Sequence, residues 1–245
     1  MKQVLGLIVT LMTVVCGAWP SSGAEVSESK PTLIIEGVIA RGNILPLGER
    51  MLTLASKGEK EVQLIINSPG GQVTTGFMFI SMMNAAQSKG LKVTCFVPAL
   101  AASMAYQILL HCDERHSLNG TFLLWHRARI TFGGGMMSQP EPMQGPALVK
   151  IGNDLLATDS VIFRDIVKAM GDDVEVNTLK YHFEAETLHV GINLHKLAPN
   201  FITSHATIKG LFEAVLNKQL PRNDNQDYVE FNSNELVYMT TKLTK

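Results

Sequence analysis

The sequence predicts an α/β fold, and three observations carry that expectation. Short apolar, β-rich runs recur at 32–35, 62–66, 92–97 and 121–125. Stretches with apolar residues at helical spacing lie between and after them. Glycine, proline or charged turns punctuate the alternation, which is the pattern that right-handed crossover connections produce. Composition bounds the rest. The chain has 245 residues, 46% apolar and 18% charged, with a formal net charge of −1. That is enough apolar material for one large core and too much for a disordered chain. The balanced charge excludes nucleic-acid binding by bulk electrostatics. Twenty glycines show no fixed period, which excludes collagen, and three cysteines are too few for a disulfide scaffold.

Taken in order, residues 30–37 read as a strand around Thr32-Leu33-Ile34-Ile35, ending at a glycine. Leu47, Met51 and Leu54 follow Pro46 at helical spacing, so 46–56 reads as a helix with proline in its first turn. Lys57 to Lys60 form a charged turn. Residues 62–66, apolar except for Gln63, read as a strand buried on both faces, and Asn67-Ser68-Pro69-Gly70-Gly71 breaks it. Residues 77–86 read as a helix closed by Gly90, 92–97 as a strand, the Ala-rich 99–110 as a helix, and 121–125 as a further buried strand closed by His126. Glycines and prolines over 133–145 mark a loop. Leu148, Ile151, Leu155, Leu156, Ile162, Phe163, Ile166 and Met170 trace a long amphipathic helix stopped by Gly171-Asp172-Asp173. A short helix over 182–192 and a mixed helix over 205–219 complete the regular structure, with a polar tail from Pro221.

The N-terminus is a separate matter. Lys2 precedes an apolar run from Val4 to Trp19, and Ser22-Gly23-Ala24 offers a small-x-small exit. This predicts a signal peptide over 1–24 and export, to periplasm or beyond. The alternative is an uncleaved anchor, but the run is short of the roughly 20 apolar residues a spanning helix needs. Valines precede Cys16, which argues against lipidation. Cys95 and Cys112 would remain after cleavage. Each lies in or beside an apolar stretch, and the expectation is two buried free thiols rather than a pair.

Three pieces carry chemistry. Asn67-Ser68-Pro69-Gly70-Gly71, Ala101-Ala102-Ser103-Met104 and Trp125-His126 each sit at or just beyond a strand end, where open α/β sheets place their sites. A serine at a helix start lies near free backbone N–H groups, which can stabilise an oxyanion. A Gly-Gly turn exposes more such donors. A histidine at a third strand end can take the serine proton. Singly, each has a plainer reading as a turn, a helix start or a structural histidine. No zinc spacing, phosphate loop or i, i+4 histidine pair occurs, so neither a metal nor a cofactor is expected.

These motifs resemble those of the Clp protease proteolytic subunit family. Ile66-Asn67-Ser68-Pro69-Gly70-Gly71 is similar to its signature after a core strand, and Ala101-Ala102-Ser103-Met104 to its nucleophile segment. The similarity covers about residues 31–195. It implies the crotonase-like/Clp protease fold of repeated β-β-α and βα units with a long helix after the core. Domain limits on this reading are 25–204 for the peptidase domain and 205–245 for a C-terminal helix and tail. The resemblance makes Ser103 the nucleophile, His126 the base, and the Gly70 and Met104 amides the oxyanion hole. It implies a homo-oligomer meeting through residues 133–170, acting on peptides or unfolded segments. The family's ATP-driven (AAA+) unfoldase partner is not expected for an exported chain, because no ATP supply reaches it there.

Two departures stand out. Arg127-Ala128 follows the histidine where the family has Gln-Pro. Leu179 falls at or near the position of the family's catalytic aspartate. Glu175 and Glu184 lie close by, and Asp172-Asp173 precede them, none in register. A dyad, a displaced glutamate and an inactive site all stay open. The leading function is therefore a serine endopeptidase. The alternatives are a weakly catalytic oligomeric scaffold and a crotonase-type acyl-CoA enzyme.

Overall fold

The computed structural model describes residues 30–129 and 145–211. The expected leader over 1–24, the loop from 133 to 144, most of the helix expected over 205–219 and the polar tail lie outside the described residues. A five-stranded parallel sheet is the centre of the fold, in the order β1 (Thr32–Glu36), β2 (Glu61–Asn67), β3 (Lys92–Val97), β5 (Glu114–Leu118) and β8 (Thr203–His205). Its middle strands β2 and β3 are almost wholly buried, as the continuous apolar runs predict for strands covered on both faces. Helix α1 (Arg41–Ser56) packs against α2 (Val73–Ser88). Ile44, Met51 and Leu54 of the first and Phe79, Ile80 and Met83 of the second enter one core with the sheet.

A second, three-stranded sheet runs in the order β4 (Leu100–Ala102), β6 (Phe122–Leu124) and β7 (Leu188–Val190). Strands β4 and β6 are parallel, β6 and β7 antiparallel. Helix α3 (Met104–Leu110) follows β4 after a single residue, and every residue in it is buried. The long helix expected after the core is present as α4 (Gly145–Met170). Helices α5 (Val176–Glu184) and α6 (Gly191–Leu197) flank β7. Among the described residues no helix is long and apolar enough to cross a membrane.

Several local expectations change. Helix α1 begins five residues before Pro46, because Asn43 Oδ1 accepts the Ala40 N–H at 2.9 Å and its Nδ2 donates to Val38 O at 2.8 Å. That side chain starts the helix at residue 41. Residues 100–102 are a strand rather than the start of a helix. Ser68 N–H donates to Leu100 O and Ala102 N–H to Ser68 O, at 2.9 and 3.0 Å, so tertiary pairing overrides the helical propensity of alanine. β5 escapes a hydrophobicity reading because Glu114-Arg115-His116-Ser117 is polar. The helix expected over 182–192 resolves into the end of α5, strand β7 and the start of α6.

The expectation of two free thiols is also corrected: Cys95 and Cys112 form a disulfide, with Cα atoms 6.0 Å apart. Cys95 is fully buried on β3, and Cys112 lies just past α3. The bond closes a covalent ring around β4, Ser103 and α3. Apolar surroundings, which suit a free thiol, suit a disulfide equally well, so the neighbourhood in sequence does not decide between them.

Candidate active site

Asn67 ends β2, and the turn that follows is knitted into the second sheet. Ser68 is fully buried. Its hydroxyl donates to Gly37 O at 2.6 Å and accepts the Gly70 N–H at 3.1 Å, so this serine is a structural pin. Gly70 has φ +94°, and a Cβ there would lie 2.6 Å from Ser103 Cβ and 2.8 Å from Met104 N. Both the backbone angle and the contact demand glycine. The Gly71 N–H has no acceptor among the described residues.

Ser103 stands between β4 and α3 with φ +57° and ψ −125°. For a residue with a side chain, that conformation costs about 1–3 kcal/mol and persists only where its surroundings enforce it. The enforcing contacts are visible. Ser103 N–H donates to Leu124 O at 2.8 Å and its carbonyl accepts Gln107 N–H at 3.1 Å. β4 is paired in register with β6 up to Ala102 and Leu124. A sharp strand-to-helix turn of this kind projects a hydroxyl beside the first helical N–H groups, Met104's among them, which have no carbonyl to bond within the helix. Helix α3 is anchored from below: Gln107 Nε2 donates to Asp165 Oδ2 on α4 at 2.6 Å, and His111 Nε2 lies 3.3 Å from the same oxygen. Burial outweighs the Asp165 charge and holds the His111 imidazole below its ordinary range.

His126 enters from the end of β6, the strand that receives Ser103's N–H. Trp125 is the anchor. It is 1% exposed, meets Tyr106 edge-on with ring centroids 5.1 Å apart, and lies 4.5 Å from the His189 ring. His189 is itself pushed down to about 4, by burial first and by neighbouring His182 second. With Trp125 in the core, the half-buried His126 follows it at the surface of the site. Its Nδ1 lies 2.5 Å from Arg127 O.

Among the described residues, no hydrogen bond joins Ser103 Oγ to His126, and no carboxylate bonds to either ring nitrogen of His126. Glu175 occupies the N-cap of α5 with its side chain exposed. Glu184 is exposed and faces Lys180 at 3.9 Å. Leu179 is fully buried in the core. The carboxylate that does reach this strand end is Asp159 on α4, 8% exposed. Its Oδ2 takes Arg127 Nε at 2.9 Å, and its Oδ1 takes Ala128 N–H at 2.6 Å. Sequence reasoning missed it, although a signal existed. Asp159 is four residues after Leu155 and three before Ile162, on the apolar stripe of α4, where a charge needs a buried partner. Among the described residues no group of three His, Cys, Asp or Glu side chains could hold a metal ion.

The family model described as Clp protease matches residues 33–144. The matched stretch contains both turns and the histidine strand end: Gly70-Gly71, Ser103-Met104 and His126.

Proposed function

Because residues 33–144 belong to the Clp protease family, we propose that this chain is a serine endopeptidase acting through an acyl-enzyme. The single observation that carries the reading is the backbone of Ser103, at φ +57° against the Gly70 turn. Strain of that kind clusters where it serves a reaction. In the proposed cycle, Ser103 Oγ attacks the scissile carbonyl carbon as its proton passes to His126 Nε2. The same proton is then given to the departing amine. Met104 N–H is the donor proposed for the oxyanion, a contribution of about 10²–10³ in rate; the Gly70 N–H expected beside it is instead given to Ser68 Oγ at 3.1 Å. A fluorophosphonate probe tests this: it labels the wild type, and Ser103→Ala abolishes labelling while leaving the fold intact. Equal labelling of both proteins removes Ser103 as the nucleophile.

Among the described residues no carboxylate bonds His126 directly, which supports a second reading, an oligomeric scaffold with weak or no catalysis. The same probe separates the two. Self-association through α4 is proposed on its exposed apolar residues, Leu148, Val149 and Leu156. A monomeric mass by light scattering at micromolar concentration counts against it. Export with cleavage after Ala24 is proposed on the leader pattern. The Cys95–Cys112 bond supports it, because disulfides persist in oxidising compartments. N-terminal sequencing of the fractionated protein decides it.

A further inference from the structure

We propose that Asp159 is the third member of the Ser103–His126 site and acts on His126 through the Arg127–Ala128 peptide group rather than by touching the imidazole. This rests on the peptidase reading above. Arg127 O, which lies 2.5 Å from His126 Nδ1, and Ala128 N–H, which donates to Asp159 Oδ1 at 2.6 Å, belong to one amide. The bonds therefore form a chain: Asp159 carboxylate, Ala128 N–H, Arg127 C=O, His126 Nδ1–H. An anion on the N–H side of a peptide polarises its carbonyl, and hydrogen bonds in series strengthen one another.

Such a chain does two things that a directly bonded aspartate does. It keeps the proton on Nδ1, so that Nε2 presents a lone pair to the serine hydroxyl. It also opposes the positive charge that develops as the imidazole takes that proton. No proton moves to Asp159. Its other oxygen, on Arg127 Nε, holds the side chain of the same residue and so fixes the peptide plane. Among the described residues, the other charges near this segment are Glu184 and Glu186, both acting on Arg127, and Arg129, which pairs with Glu186. None of them reaches the 127–128 amide.

The departures from the family pattern at this place fit one explanation. Leu179 in the core supplies no acid. Arg127-Ala128 in place of Gln-Pro supplies an N–H that proline lacks. The relay needs that N–H, so the loss of proline and the loss of the aspartate compensate each other.

The test uses the full-length protein, a fluorophosphonate probe and steady-state hydrolysis of a p-nitrophenyl ester. Asp159→Asn keeps the shape and removes the charge. The expected result is a fall in kcat and labelling rate of about 10- to 100-fold, with KM changed by less than about twofold, since Asp159 touches no substrate. Asp159→Glu, with the charge restored, recovers part of the rate. Arg127→Gln, which keeps the amide, costs a smaller factor. An Asp159→Asn enzyme at wild-type rate, or one that loses rate only through KM, overturns the relay, as does an Arg127→Gln loss equal to it. If Asp159→Asn does not fold, Ala128→Pro deletes the donor and carries the same expectation. Failure of both to fold makes Asp159 purely structural and also overturns the proposal. Labelling that requires Ser103 and His126 but ignores Asp159 overturns the relay alone. Labelling that ignores Ser103 overturns the peptidase reading beneath it.

Discussion

Replacing both Cys95 and Cys112 by alanine removes the disulfide that brackets the Ser103 turn. The two residues are 17 apart in sequence, and closing a loop of that length lowers the entropy of the unfolded chain by an amount worth about 3 kcal/mol. Domains are stable by roughly 5–15 kcal/mol in all, so the bond is a large share of the total. Both sulfurs are buried, and the ring they close contains β4, Ser103 and α3. Its loss therefore also releases the strained Ser103 turn. With a urea slope in the usual range of about 1–3 kcal/mol per molar, the midpoint should fall by about 1 M or more. The assay is urea denaturation at fixed protein concentration, with oxidised wild type, reduced wild type and the double variant side by side. Fluorophosphonate labelling at zero urea is measured in parallel. The double variant and the reduced protein should agree in midpoint, and both should label more slowly. A midpoint that does not move on reduction, with loss of the bond verified by mass, refutes the entropic argument. Slower labelling without a stability change would place the effect in the turn alone.

Two further outcomes are expected. Gly70→Ala forces a Cβ to 2.6 Å from Ser103 Cβ at φ +94°, so it should cost about 1–3 kcal/mol and suppress labelling; a variant of wild-type midpoint and labelling rate refutes the close approach. Acid should destabilise the protein between pH 6.5 and 4. His189 is held at about 4 by burial, so the unfolded chain binds its proton first, and the stability it contributes is complete above its unfolded pKa and lost as pH falls through that window. His111, His116 and His205, also lowered by burial, act in the same direction. The urea midpoint should drop from pH 7 to pH 5, less so in His189→Phe, which keeps the ring beside Trp125; a midpoint that rises on acidification refutes the assignment.

What the amino-acid sequence determined by itself is what short-range periodicity and turn chemistry encode. The apolar run of β2 announces a strand buried on both faces. The stripe from Leu148 to Met170 announces α4. The Gly70-Gly71 turn and the Ala-Ala-Ser-Met segment announce two turns that the structure brings into contact, because each needs particular residue types at adjacent positions. Tertiary structure decided whatever depends on partners distant along the chain. Leu100-Ala101-Ala102 has no strand character of its own and becomes β4 because Ser68 and β6 supply its hydrogen bonds. The polar β5 is a strand because β3 and β8 lie on either side of it. Two cysteines in apolar surroundings became a disulfide only when β3 and the end of α3 came within 6.0 Å. Asp159 met the Arg127–Ala128 amide only when α4 packed beside the end of β6. Local propensity is worth tenths of a kcal/mol per residue, whereas leaving a buried peptide group or carboxylate unpaired costs about 1–3 kcal/mol or more. Where the two disagree, long-range pairing therefore wins.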